Sequence, residues 1–143
     1  MSVELFLYFD GASRGNPGKS GAGAWIFSKN GEINHEIHKY LGIKTNNQAE
    51  YLAIQLGLEW ILELTGKRDD ITAIHIIGDS QLVIRQLTGV YRVKSNNILN
   101  YYQVVISQIQ RLHAKGVKFT YKHVLRAENT KADRLANKGI DEK

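Results

Sequence analysis

Four acidic side chains, Asp10, Glu50, Asp79 and Asp133, each stand where a regular segment of the chain starts or stops. Asp10 closes the apolar run Val3-Glu4-Leu5-Phe6-Leu7-Tyr8-Phe9, and Asp79 closes Ile71-Thr72-Ala73-Ile74-His75-Ile76-Ile77-Gly78. Glu50 and Asp133 fall in the opening turns of two segments with helical periodicity. Scattered carboxylates bind nothing in particular, but carboxylates gathered at one rim of a sheet hold divalent metal. Acids at helix starts are common because the helix dipole favours them, so Glu50 and Asp133, taken singly, read as dipole partners. Asp10 and Asp79 resist that explanation, since an acid closing an apolar strand costs desolvation unless something compensates it. The chain has no cysteine, which excludes disulfides, thiolate metal sites and cysteine nucleophiles. Any metal must be held by oxygen or imidazole, and oxygen ligands favour hard ions such as Mg²⁺ or Mn²⁺.

The elements that position these acids follow from local patterns. A first strand over residues 3–10 is apolar on both faces, as a central strand should be. A turn rich in Gly and Asn, with the only proline, is expected over residues 11–21. Strands over 23–28 and 32–41 are joined by Lys29-Asn30-Gly31, and Asn-Gly between apolar runs is a hairpin signal. Thr45-Asn46-Asn47 supplies N-cap chemistry, and Ala49, Leu52, Ala53, Leu56 and Trp60 give the following helix one apolar face. Asn47 is one candidate for the cap. A fourth strand over 71–78, helices over 80–87 and 97–114, a fifth strand over 117–124 and a helix over 129–138 complete the chain. Trp25 and Trp60, with apolar neighbours, are expected in the core. No internal repeat or low-complexity segment interrupts this order.

The result is an α/β chain of the α+β-like kind with a mixed five-stranded sheet and helices on both faces. Strands one to three form an antiparallel meander, and strands four and five run parallel to strand one. If strand one runs up, strand three also ends at the top, and the first helix starts there with Glu50. That helix returns the chain to the bottom, and a right-handed crossover sets strand four parallel to strand one. Asp10 and Asp79 then end neighbouring strands at the top rim, where open sheets bind ligands. A parallel fifth strand delivers His123 and the helix of Asp133 to the same rim.

The totals fit this picture. A chain of 143 residues, 43% hydrophobic and 23% charged, is expected to form one domain over 1–143. The net charge of +5 and sequence pI of about 9.4 are compatible with a polyanionic partner without naming one. The N-terminus lacks the pattern of a signal peptide, and no apolar run is long enough to span a bilayer, so a soluble, cytoplasmic protein without membrane contact is expected. Ser13-Arg14-Gly15-Asn16-Pro17-Gly18-Lys19-Ser20 comes close to a phosphate-binding P-loop, but Ser13 stands where that motif needs Gly, and strand-forming residues follow the Lys-Ser pair. Its glycines are expected to bring a turn close to a ligand backbone and to tighten a hairpin.

Phe9-Asp10-Gly11-Ala12-Ser13-Arg14-Gly15-Asn16-Pro17-Gly18 resembles the opening signature of the ribonuclease H type I family. Thr45-Asn46-Asn47-Gln48-Ala49-Glu50, Gly78-Asp79-Ser80-Gln81 and Glu128-Asn129-Thr130-Lys131-Ala132-Asp133-Arg134-Leu135-Ala136 are similar to its second, third and fourth motifs, in the same order. The resemblance implies a ribonuclease H-like fold and cleavage of the RNA strand of an RNA/DNA hybrid to 3′-hydroxyl and 5′-phosphate ends. It implies that Asp10, Glu50, Asp79 and Asp133 bind two Mg²⁺ ions during catalysis, with Mn²⁺ as substitute. Two such ions roughly 3.5–4 Å apart activate water and stabilise the leaving oxygen in an in-line displacement. His123, ten positions before Asp133 (133 − 123) and expected on a mobile loop, would shuttle protons or help product leave; a surface histidine at a strand end is the plainer reading. Asn16, Asn47 and Gln81, with backbone at Gly11 and Ser13, would read the minor groove, and Thr45 would help seat a phosphate of the DNA strand.

Some members of the family carry a basic, tryptophan-bearing protrusion between the segments that here end at Leu87 and begin at Asn97. This chain has Thr88-Gly89-Val90-Tyr91-Arg92-Val93-Lys94-Ser95-Asn96 instead, and a short form without a separate N-terminal hybrid-binding domain is expected. Fewer phosphate contacts imply a high KM and a salt-sensitive grip. A monomer without an obligate protein partner is expected. Two alternatives share the scaffold, an integrase-like strand transferase and a non-enzymatic hybrid-binding module; a basic ribosome-associated protein would explain the charge but not the four acids.

Overall fold

A computed structural model describes residues 2–143. Its sheet has the order β3-β2-β1-β4-β5. Strand β1 (Val3–Arg14) pairs antiparallel with β2 (Gly18–Ser28), which pairs antiparallel with β3 (Asn34–Lys44). Strand β4 (Ile71–Gly78) lies parallel to β1, and β5 (Lys118–His123) lies parallel to β4. The helices are α1 (Asn46–Thr65), α2 (Gln81–Leu87), α3 (Asn96–His113) and α4 (Thr130–Asp141). This is the expected mixed sheet, with β4 at the expected residues.

The glycine-rich turn is shorter than the sequence suggests. Instead of ending at Asp10, β1 continues to Arg14, and the ladder runs on from Asp10↔Gly23 to Arg14↔Lys19. The chain reverses only at Gly15, with φ +92°, and a cis Asn16–Pro17 bond. Glycine weakens a strand locally, but a ladder already aligned by Leu5, Leu7 and Phe9 carries the small residues with it.

One face of the sheet presents Leu5, Leu7, Phe9, Ala22, Ala24 and Ile26, all fully buried, and α1 packs across it. Helix α1 buries more of its circumference than one stripe: Tyr51, Ile54, Leu58 and Ile61 are fully buried, while Leu52, Leu56 and Trp60 are only half-buried. Packing between the sheet and α3 explains this, since a helix in the middle layer has two faces to cover. Helix α3 contributes Ile98, Val105, Ile109 and Leu112 at helical spacing. The other face carries Phe6, Tyr8, Trp25 and Phe27, all half-buried, with α4 packed mainly over β2 and β3. Trp60 joins the core as expected, with its ring 4.4 Å from that of His35. Trp25 does not: it faces the α4 side, 4.2 Å from Phe27 and with the Lys131 ammonium 4.6 Å above its ring.

Candidate active site

The crossover from β1 to β4 puts the carboxyl ends of two parallel strands side by side, with Phe9 opposite Gly78 in register. Asp10 follows Phe9 within β1, and Asp79 is the first residue after β4. Glu50, the fifth residue of α1, is brought to the same place by a close helix–strand approach at Gly11. A Cβ on Gly11 would lie 2.4 Å from the backbone of Ala49 and Glu50, so only glycine lets α1 come this near. Asp10, Glu50 and Asp79 each offer an oxygen, and these oxygens lie within 4.8 Å of one another. Asp133, in the first turn of α4, is outside that trio but lines the same hollow of about 520 Å³, together with Asn47, Ser80, Arg126 and Asn137.

Burial dominates the electrostatics. Asp10 and Glu50 are each 6% exposed. Desolvation pushes the Asp10 carboxyl up to about 7; sharing a hydrogen bond with Glu50 opposes the rise, and the charges of Asp79 and Asp133 add to it. Glu50 is raised well above the ordinary carboxylate range, first by burial and then by the Asp10 charge. Asp79 is raised by burial, against the lowering influence of the Arg126 guanidinium. One oxygen of Glu50 accepts the Gly11 N–H at 3.0 Å, while its Oε2 is buried with no hydrogen-bond partner. A buried carboxylate oxygen without a donor is costly unless a cation takes that place. The oxygen-only donor set, its crowding and this orphaned atom fit a hard divalent cation held by Asp10, Glu50 and Asp79 with Asp133 beside them.

The other expected residues are distributed more widely. His123 is the last residue of β5, opposite Gly78, so it belongs to a strand end rather than a loop; it is exposed and does not line the hollow of the acids. The N–H of Gly11 is engaged by Glu50. The Ser13 hydroxyl faces two backbone carbonyls, those of Gly15 at 2.6 Å and Lys44 at 2.9 Å. The Asn16 Oδ1 accepts the Asn46 N–H at 3.0 Å, leaving its amide N–H groups for other partners. Thr45, not Asn47, caps α1: its hydroxyl accepts the Gln48 N–H and the Gln48 side chain accepts the Thr45 N–H, a reciprocal capping box. Asn47 is thereby free of cap duty and lines the acidic hollow. Gln81 is exposed at the first position of α2, behind the Ser80 cap.

Further residues join the site in the structure. A second hollow of about 300 Å³ joins Asn16, Thr45 and Asn47 to Gln86, Ser95 and Asn97. Asn129, 1% exposed, stands at the N-cap of α4 yet makes no cap bond; its amide donates instead to the Phe9 carbonyl at 2.9 Å, tying the start of α4 to the residue before Asp10. An Asn before a helix signals a cap, so the sequence marks the residue but not this partner. Arg126 carries no pattern that would have singled it out.

A family model described as "Reverse transcriptase-like" matches residues 8–139. The chain is 37% identical over 140 residues to the "Bifunctional protein Rv2228c" of Mycobacterium tuberculosis, covering 97% of this chain but only 36% of that relative. It is 38% identical over 143 residues to the "Ribonuclease HI" of Halobacterium salinarum, covering 96% of this chain and 65% of that one. The chain thus spans about a third to two thirds of the length of these relatives. Among solved structures, LC11-RNase H1 in complex with RNA/DNA hybrid superimposes with a TM-score of 0.87 at 33% identity, over 96% of this chain and 97% of that one.

Proposed function

We propose that this chain, which belongs to the ribonuclease H type I family, hydrolyses the RNA strand of RNA/DNA hybrids to 3′-hydroxyl and 5′-phosphate ends. The observation that carries the reading is the trio of carboxylates within 4.8 Å at the ends of β1 and β4, with an unpartnered Glu50 oxygen among them. Asp10, Glu50, Asp79 and Asp133 would hold two Mg²⁺ ions, or Mn²⁺ in their place, which when bound activate water and stabilise the leaving 3′-oxygen. Everything else is positioning by the chain. Glu50 is held by Gly11 N–H so that its second oxygen is left for a cation. Asn47, which lines both hollows, and the amide of Asn16, which lines the second, would read the 2′-hydroxyls of one strand and their absence on the other. Gly11 and Ser13 support them through backbone, Gln81 from the start of α2, and Thr45 seats a DNA-strand phosphate. All four acids come from one chain, so a monomer is sufficient for this chemistry.

The test is incubation of end-labelled RNA/DNA hybrid with and without Mg²⁺ or Mn²⁺. Internal cuts confined to the RNA strand, dependent on divalent metal, with 3′ ends that a polymerase extends, are the expected result. Cutting of neither strand under any metal condition would remove the reading. By the same reading His123, exposed at the end of β5 opposite Gly78, would shuttle protons or help product leave. His123→Ala is expected to lower turnover about 100-fold, within the range of general acid–base assistance, while metal binding measured by calorimetry stays unchanged. Wild-type turnover in that variant would strip His123 of any role.

A further inference from the structure

Asp133 takes its hydrogen bonds from another side chain of its own helix. Asn137, one turn later on the same face of α4, donates its amide N–H groups to the Asp133 carbonyl at 3.0 Å and to the Asp133 Oδ1 at 3.4 Å. The Oδ1 of Asn137 accepts in turn from the Arg14 Nη2 at 3.3 Å. The Arg14 Nη1 donates to the Asp141 Oδ1 at 2.8 Å. Asp133, Asn137 and Asp141 follow one another at four-residue steps, so a single face of α4 carries all three. Arg14 is the last residue of β1 and lies four positions after Asp10 (14 − 10), on the same side of the strand. Arg14 and Asn137 both line the hollow of the acids.

The donors and acceptors decide which way the Asn137 amide points. A guanidinium only donates, so Arg14 takes the amide oxygen and leaves the N–H groups turned toward Asp133. Aspartate at 137 would meet Arg14 but repel Asp133, and leucine would fill the space and hold neither. The Arg14–Asp141 pair is exposed and adds little to stability, so its effect is geometric: it holds the guanidinium fork against the amide. We propose that Arg14 and Asn137 are positioning residues that aim the Asp133 carboxylate at the hollow it shares with Asp10, Glu50 and Asp79. The backbone of α4 is seated separately, by packing on β2 and β3, so this strap orients a side chain and not a helix. The inference rests on the proposed role of Asp133 in holding metal.

Asn137→Leu puts a good helix former at a half-buried helix position, so the fold is kept. It is expected to lower kcat for hybrid about 30-fold, as a small misplacement of a group at the reacting centre does, with KM within about twofold. Arg14→Lys keeps the charge but has no fork to span Asn137 and Asp141, and kcat should fall about fivefold. The double variant should be no slower than Asn137→Leu alone, because Arg14 acts only through the amide. Losses that multiply would give Arg14 a contact of its own and overturn the relay, and an unchanged kcat in Asn137→Leu would overturn the whole proposal. A second readout needs neither metal nor substrate: side-chain couplings that report the χ1 angle of Asp133 by NMR. They should show one rotamer in wild type and an average over several in Asn137→Leu. A single, shared rotamer in both proteins would also overturn it. If wild-type protein cleaves no hybrid, averaged couplings in the variant would leave the strap standing while its bearing on catalysis falls with that reading.

Discussion

Asp10→Asn is expected to abolish hybrid cleavage and, at the same time, to make the metal-free protein more stable at pH 8. The first effect follows from removing one of three carboxylates that crowd within 4.8 Å. A loss of at least about 1,000-fold in rate, about 4 kcal/mol of barrier, is expected. The second follows from linkage. The folded-state value of Asp10, about 7, lies above its ordinary 3.8, with burial as the main cause. At acid pH, below the unfolded value, the carboxyl is protonated in both states and its burial carries no charge penalty. As pH rises from 3.8 to about 7 the unfolded chain gives up its proton while the folded chain holds it, so stability falls through that window. Above it the loss is complete, on the order of 4 kcal/mol.

Asparagine is neutral throughout and escapes this loss. With chelator present, Asp10→Asn should show little advantage in Tm near pH 4 and a gain of several degrees near pH 8. Millimolar Mg²⁺ should raise the Tm of wild type at pH 8 and leave the variant nearly unmoved, because a ligand stabilises only the state that binds it. A Tm difference that is flat across pH would mean that the buried carboxylate is compensated by something other than metal. The site therefore trades stability for charge density: α1 and β1 fold around a cluster that favours protonation until a cation arrives.

The convergence of the four acids was legible in the sequence because strand order and handedness are strongly constrained. Two apolar runs, each ended by an aspartate and joined through a helix, have few ways to lie in one sheet. The strand Ile71–Gly78 was legible because it is short, rich in β-branched residues and apolar. What the sequence hid were contacts set by packing geometry. Trp25 looks like a core residue by its neighbours, but the period of two puts it on the same face as Gly23 and Phe27, against α4. Asn129 stands in the fourth motif, but nothing there shows that the carbonyl of Phe9, from a strand far away in sequence, takes its amide. Thr45, Asn46 and Asn47 together offered N-cap chemistry with Asn47 as one candidate, and the box that Gln48 completes assigns the cap to Thr45. Gly21 and Gly23 are also close-approach positions, and the element that approaches them is α4. A Cβ on Gly21 would lie 2.1 Å from the Ala136 carbonyl oxygen.

The seat of α4 on Gly23 gives Gly23→Ala a large expected effect far from any chemistry of its own. Gly23 pairs with Asp10 in the ladder, so α4 is seated directly over the strand position that faces the acid cluster. A methyl group there would lie 2.4 Å from the Ala132 carbonyl oxygen, 2.5 Å from the Ala136 nitrogen and 2.7 Å from the Leu135 Cβ. Those atoms belong to helix backbone or sit next to it, so no side chain can swing aside, and the helix must lift by about 1 Å to restore normal contact. Ala132 immediately precedes Asp133, and the lift carries that carboxylate away from Asp10. A misplacement of about 1 Å is enough to lower kcat about 100-fold, alongside roughly 1–3 kcal/mol of lost stability. Gly139→Ala supplies the contrast. Its Cβ would meet the Lys39 carbonyl oxygen at 2.5 Å, at the other end of α4 from Asp133. Both variants should melt lower, but only Gly23→Ala should lose most of its kcat. Equal losses of kcat in the two would show that the seat of α4 on Gly23 does not set the position of Asp133.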